Sequence, residues 1–400
     1  MARHIYVHNP FCARKCPYCD FYSVTKTSLC EDFYKAAIRE TGLLGSVING
    51  ISDSGVSFGI DDKDTVYFGG GTPSLPDSRF VCSLLDEIRR TFNIGDDAEI
   101  TIEVNPSSVS EEKLNDYVKA GFNRISIGIQ SLDDSVLKTL GRLHDSRTAV
   151  EAVRKIQKAG FTNISADLIT GVPGETLEGT KNDIDTFYGL GIKHISTYSL
   201  MIEEGTVFYD RYSNNIEDLV PPESERMMYH GVRDHLEDLG YEAYEISNSA
   251  FPGYRSIHNS SYWNSCGYLA VGAGAHGYTG NMRYGHKDDV DAYIKEMTTL
   301  SLKDYEDFLE GRKSDFDSLY VEEILTREDR MKEVPFLRLR TTEGILLDEF
   351  YRQFGVEFED VFAQAINSNI NKGFLERKER TLRLTRSGLD FANIVIEDFL

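Results

Sequence analysis

Six short apolar runs alternate with amphipathic stretches through the first half of the chain, and this rhythm limits the fold more than any other feature. The runs are "IYVH" at 5–8, "TVYFGG" at 65–70, "EITIEVNP" at 99–106, "RISIGIQS" at 124–131, "ISADLITG" at 164–171 and "HISTYSL" at 194–200. Each reads as a buried parallel strand. Helical-period segments at 78–92, 111–120, 146–159 and 177–190 lie between them, which spells right-handed βαβ units in an α/β domain. Six such units predict a partial or full TIM-like barrel. Polar, glycine and carboxylate residues gather at the C-terminal ends of the runs, where barrels of this kind place their chemistry.

The rhythm changes after about residue 205. A mixed-charge helix at 223–239 precedes a strand-like "YEAYEIS" and a glycine-, serine- and aromatic-rich stretch, "HNSSYWNSCGYLAVGAGAHGY", at 258–278. From about 300 the chain turns charged and helical, and it closes in a hairpin-like and helical pattern of the winged-helix kind. The expected organisation is a barrel core over 1–205, a barrel extension over 206–300 and a smaller, mainly helical, winged-helix-like domain over 301–400.

With 400 residues, 40% of them hydrophobic, the chain can bury a large core without covalent staples. Its formal net charge of -22 argues against a surface built to neutralise phosphates, so nucleic acid and anionic membrane are not expected partners. No run approaches the roughly 18 apolar residues of a spanning helix, and "HIYVHNPFC" follows the start without an apolar leader block. A cytoplasmic protein that is not integral to a membrane is expected.

Of the six cysteines, Cys12, Cys16 and Cys19 crowd into a loop just after the first strand, whereas Cys30, Cys82 and Cys266 are scattered and read as ordinary thiols. Three closely spaced thiolates suit a cubane cluster that leaves one iron open for chemistry. Zinc, with His4 or His8 as a fourth ligand, and unliganded thiols remain alternatives; the paired ligand spacing of structural zinc sites is absent. The "FGGGTPS" turn at 68–74 allows close backbone approach to a ligand and offers N–H groups as donors.

At "CARKCPYC" the sequence resembles the radical S-adenosylmethionine superfamily, whose CxxxCxxC signature it matches without a gap. The resemblance implies a 4Fe-4S cluster on Cys12, Cys16 and Cys19, an open iron chelated by S-adenosylmethionine, and an electron donor for the cluster. "YVHNPFC", "FGGGTPS", "EVNP", "SIGIQSLDD", "LGRLH" and "DLITGVPGET" make it similar to the branch that holds oxygen-independent coproporphyrinogen III oxidase and the HemW-type heme chaperones. That likeness implies that Tyr6, Gly70 and Glu103 contact the cluster-bound cofactor. It further implies that Tyr18, Gly71, Thr72, Gln130, Arg142 and Asp167 form a second S-adenosylmethionine position. Purely structural roles stay open: strand-end capping for Glu103 and Asp167, backbone satisfaction for Gln130, a surface ion pair for Arg142 and core packing for Tyr6.

The oxidase signature carries a further cysteine two residues after the third ligand, and Phe21 stands at that place. Only eleven residues precede Cys12, too few for the oxidase's N-terminal segment. "HNSSYW" at 258–263 instead matches the HNxxYW pattern of the heme-chaperone branch. It implies heme as cofactor and cargo, His258 as the axial ligand of its iron, Tyr262 and Trp263 as flat contacts for the macrocycle, and an acceptor hemoprotein as partner. His276 and His286 are candidate second ligands, and a histidine with two aromatics packed in a barrel-closing loop is the plain structural reading. The chaperone reading is taken over the oxidase and over a radical enzyme with a non-porphyrin substrate.

Overall fold

A computed structural model of the chain describes residues 3–50, 63–314 and 316–400. The six expected strands form: β1 (His4–Asn9), β2 (Thr65–Gly70), β3 (Glu99–Val104), β4 (Arg124–Gln130), β5 (Asn163–Thr170) and β6 (His194–Ser199). They pair in chain order, each parallel to the next. Beyond β6 the sheet continues into two short antiparallel strands, β8 (Asn248–Ala250) and then β7 (Glu242–Ala243). At the opposite edge β9 (Leu269–Val271) pairs in parallel with β1, so the glycine-rich stretch supplies a strand that its composition hides. The nine-stranded order is β7-β8-β6-β5-β4-β3-β2-β1-β9, a partial barrel left open between its two edges.

Helices α1 (Cys30–Gly50), α2 (Ser78–Phe92), α3 (Glu111–Ala120), α4 (Asp134–Thr139), α5 (Ser146–Lys158) and α6 (Leu177–Gly189) cover the outer face. Local sequence sets their starts, because Asp77, Ser110, Asp145 and Thr176 each accept a first-turn N–H with their side chains. Such caps contribute roughly 1 kcal/mol each. On α2, Val81, Leu84, Leu85, Ile88 and Phe92 make the helical stripe that seals against the sheet.

Along β4 the side chains alternate: Ile125, Ile127 and Ile129 are buried outward, while Arg124, Ser126, Gly128 and Gln130 line the inside. The lumen is therefore polar, unlike the branched apolar filling common in TIM barrels. Its lower end is covered by the short helix Ile257–Trp263, whose first N–H groups, those of Ile257 and His258, donate to the Glu99 carboxylate at the start of β3.

Residues 301–314 and 316–324, expected in the terminal domain, instead pack on the barrel, with Tyr305, Phe308 and Leu319 in its core. The second core runs from Met331 to Phe399. It unites the helices Arg327–Arg338, Leu347–Phe354 and Phe358–Asn371 with a hairpin, Leu375–Lys378 and Thr381–Leu384, whose second strand also pairs with Ile345–Leu346. This winged-helix-like module is clamped to the barrel by Arg386, which forks onto Asp234 at 2.6 and 2.8 Å, and by a His230–Asp390 contact of 2.7 Å. Among the described residues no helix is long and apolar enough to cross a membrane.

Candidate cofactor site

The cysteine loop leaves β1 at Asn9 and is folded back on itself. Cys12 N–H donates to Val24 O at 3.0 Å, Val24 N–H to Pro10 O at 2.7 Å, and Cys19 N–H to Cys16 O at 3.1 Å. All three thiols are free and half-buried, and all three line one cavity of about 530 Å³, a size usual for cofactor sites. Burial pushes the Cys12 and Cys19 thiols up, while the Thr72 and Ser23 hydroxyls and the Arg142 guanidinium oppose the rise at Cys12.

The glycine-rich turn works differently from the expectation that its N–H groups are free. Gly71 N–H donates to Asn9 O at 2.7 Å, Thr72 N–H to Phe11 O at 2.8 Å, and Gly70 N–H to the Glu103 carboxylate. These donors tie the cysteine loop to β2. A Cβ on Gly71 would stand 2.8 Å from Phe11 O and 2.9 Å from Asn9 O, and Gly70, at φ +98, faces the His8 ring. Glycine is required by the close approach of the loop itself.

Tyr18, Gly70, Gly71, Thr72, Glu103, Gln130, Arg142 and Asp167 all face the same cavity. Arg142 is no surface ion pair: it donates to Gly128 O at 2.7 Å and lies 3.3 Å from the Tyr18 hydroxyl and 3.5 Å from Cys16 Sγ. Gln130 sits at φ +75 on an irregular register between β4 and β5, and a left-handed backbone at a non-glycine residue costs roughly 1–2 kcal/mol. Asp167 accepts from Ser126 and Ser196, the latter at 2.8 Å. Glu103 accepts from Tyr67 at 2.8 Å. Burial, reinforced by Asp167, pushes its carboxyl up to about 7 despite the Tyr67 and Gly70 donors.

That shift has a sign that can be measured. An exposed glutamate gives up its proton near 4.5, whereas folded Glu103 keeps it to about 7, so the folded chain holds the extra proton between these values and loses stability as pH rises through them. The loss attributable to Glu103 is roughly 3 kcal/mol at most. In denaturant unfolding of ligand-free protein, Glu103→Gln is expected to leave stability little changed at pH 5 and to raise it above the parent at pH 8. Parallel pH profiles for parent and variant would contradict this.

Four of the expected residues lie elsewhere. Tyr6 bonds His8 Nδ1 at 3.1 Å and stacks on Tyr67 below the cofactor level, and His8 Nε2 is taken by Tyr22 O at 2.9 Å. His258 is 1% exposed at the barrel base, under Tyr67, with Nδ1 on Thr65 Oγ1 at 2.7 Å and Nε2 on the Tyr262 hydroxyl at 2.8 Å. Both imidazole nitrogens are engaged, which departs from the expected open axial ligand. Neither Tyr262 nor Trp263 lines the cavity. His276 pairs with Glu322 on the surface, and His286 is buried against Glu40.

Among the cavity residues that escaped the sequence reading are Arg124 at the base of the lumen and Asn259 beside His258. Strict polar–apolar alternation in "RISIGIQ" was the available signal for the first. For the second, one residue step along the helix carries Asn259 about 100° around the axis from His258, toward the lumen.

Comparison with known proteins fits this arrangement. Residues 6–187 match the radical SAM superfamily and residues 325–391 the HemN C-terminal domain. Coproporphyrinogen III oxidase (HemN) from Escherichia coli superposes over 100% of this chain and 90% of its own, with a TM-score of 0.79 and 19% identity, a likeness of fold. Heme chaperone HemW of Bacillus subtilis is 34% identical over 396 residues, covering 99% of this chain and 98% of that one. The chain belongs to the HemW family. The same proteins from Lactococcus lactis and Escherichia coli are 33% and 32% identical, again over 99% of this chain.

Membership in this family of radical SAM proteins implies a 4Fe-4S cluster and S-adenosylmethionine, and the cysteine loop fits the cluster. Among the described residues no three His, Cys, Asp or Glu side chains converge as a single ion would demand. A cubane takes each thiolate on a separate iron, so its ligands need only face a common space.

Proposed function

We propose that the chain is a heme chaperone of the radical SAM type, which binds heme as cargo and passes it to an acceptor hemoprotein. The observation that carries this reading is likeness to HemW chaperones along 99% of the chain, both cores included. In this reading Cys12, Cys16 and Cys19 hold the cluster. Gly70 and Glu103 hold the S-adenosylmethionine bound to it, and Tyr18, Gly71, Thr72, Gln130, Arg142 and Asp167 border a second position for the same cofactor. Bound together, cluster and cofactor supply one-electron chemistry at the sulfonium, fed by an external electron donor.

The protein's own part is to enclose and orient. Arg142 tethers the cysteine loop to β4 while the serine-held Asp167 presents an acceptor to the cavity. Phe21, 67% exposed on the cavity rim, offers an apolar face where the oxidase signature has a cysteine. The reading does not rest on His258, which reaches iron only if the helix Ile257–Trp263 leaves the barrel base.

Anaerobic titration of cluster-loaded protein with hemin is expected to saturate at one equivalent per chain. The same preparation is expected to form no protoporphyrinogen from coproporphyrinogen III, and cluster-dependent turnover would move the oxidase reading to first place.

A further inference from the structure

Arg124 opens β4 and is 1% exposed, yet among the described residues it makes no hydrogen bond and no ion pair, and its Nε is buried without a partner. Two other arginines also keep one nitrogen unpaired, yet each is anchored: half-buried Arg142 donates to Gly128 O, and buried Arg338 donates to Gly344 O at 3.0 Å and to Asn264. A guanidinium set this deep in a fold is ordinarily paired, so one kept without a protein partner leaves its donors for something else.

The surroundings say what that something is. Arg124 lines the cavity. Glu103 and Asp167 act on it at a distance, but their oxygens are already served by Tyr67, Gly70, Ser126 and Ser196. They moderate the charge of the lumen without filling the guanidinium's fork. A planar fork with unused N–H groups matches the two oxygens of a carboxylate.

We propose that Arg124 is a ligand-binding residue at the cavity floor, where its guanidinium receives a carboxylate of the bound ligand. Depth narrows the source. In register Arg124 is level with Thr101, Tyr67 and Tyr6, three residues below Asn9, where the cysteine loop departs. At roughly 3.3 Å per residue this is about 10 Å below the cluster end of the lumen. The cofactor chelated to the cluster is held at the far end of the lumen, which leaves a propionate arm of the macrocycle, an identity that rests on the chaperone reading, and the carboxylate of a second S-adenosylmethionine as sources of the required chemistry.

Binding of hemin, hemin dimethyl ester, S-adenosylmethionine and decarboxylated S-adenosylmethionine to cluster-loaded parent, Arg124→Lys and Arg124→Met separates these sources. For one of the two acids, Arg124→Met is expected to raise Kd at least tenfold. Arg124→Lys should recover part of the loss, and the matching ester or decarboxylated compound should bind parent and variants alike. Melting of ligand-free Arg124→Met is expected at or above the parent temperature, since an unpaired buried charge is gone; a lower melting temperature with unchanged Kd values would make Arg124 a structural residue. Equal Kd values of parent and both variants for both acids would overturn the proposal. A parent that binds no hemin would overturn the chaperone reading instead, and the S-adenosylmethionine arm would still decide Arg124.

Discussion

Cys12→Ala, Cys16→Ala and Cys19→Ala are each expected to lose most of their cluster after anaerobic reconstitution, measured as iron and sulfide per chain and as absorbance near 400 nm (about the usual cluster band). Each thiolate serves a separate iron, so removing one leaves two irons without protein ligands and opens the cubane to loss. No other cysteine of the chain stands ready as a substitute. Cys30 lies at the start of α1 with its thiol pushed up to about 11, and Cys82 lies within α2 with its thiol pushed up to about 12, in both cases by burial. Cys266 is buried beyond the barrel base and does not line the cavity. Cys30→Ala, Cys82→Ala and Cys266→Ala are therefore expected to keep a full cluster. Retention in all three triad variants would remove the cluster assignment.

His258→Ala is expected to act on stability first. The imidazole joins Thr65 to Tyr262 and fills the space under the Tyr67 ring, 5.0 Å centroid to centroid. Without it the buried Tyr262 hydroxyl loses its partner and a ring-sized void opens among aromatic side chains. An unsatisfied buried polar group costs roughly 1–3 kcal/mol and a void of this kind a similar amount, so a loss of about 3–5 kcal/mol is expected in denaturant unfolding. His258→Gln, which keeps hydrogen-bonding capacity, should recover part of it. Cluster content is expected to be unchanged, and the Soret band of folded, heme-loaded variant to match the parent. A folded His258→Gln protein with full cluster and no Soret band would show that the base helix opens and that His258 does reach iron.

The difference between these outcomes traces back to what a sequence can display. Strands β1 to β6 and helices α2, α3, α5 and α6 fall within a residue or two of the apolar runs and helical periods, because each of those elements buries one continuous face and local pattern records that burial; α1 and α4 were not read from the sequence. β9 was hidden because three residues, Leu269–Val271, suffice to extend a sheet beside β1 when the neighbouring strand supplies the partners. The cavity-facing residues Gly70, Glu103, Gln130, Arg142 and Asp167 were legible through motif likeness: Gly70, Glu103 and Gln130 stand at or next to a strand end, Arg142 follows α4, and Asp167 lies within β5. His258 was not, because a motif records neighbours along the chain and not the direction of each side chain. On the helix Ile257–Trp263, His258 and Tyr262 are four residues apart and share the face that plugs the barrel. Arg124 stayed unseen for a related reason. Its position at the start of an apolar run suggests an edge residue; the alternation along β4 gives its face, and the register of β4 against β3 gives its depth in the lumen.

Whether this chain carries heme for another protein is decided by continuing the hemin titration to its end. Heme-loaded, cluster-containing protein is mixed with an apo-hemoprotein while the Soret band of each partner is followed. Heme bound at one equivalent per chain is expected to move to the acceptor faster than it exchanges through free solution, as judged by a heme-scavenging competitor. Heme that fails to bind, or that reaches the acceptor only at the rate set by its release into solution, would contradict that expectation.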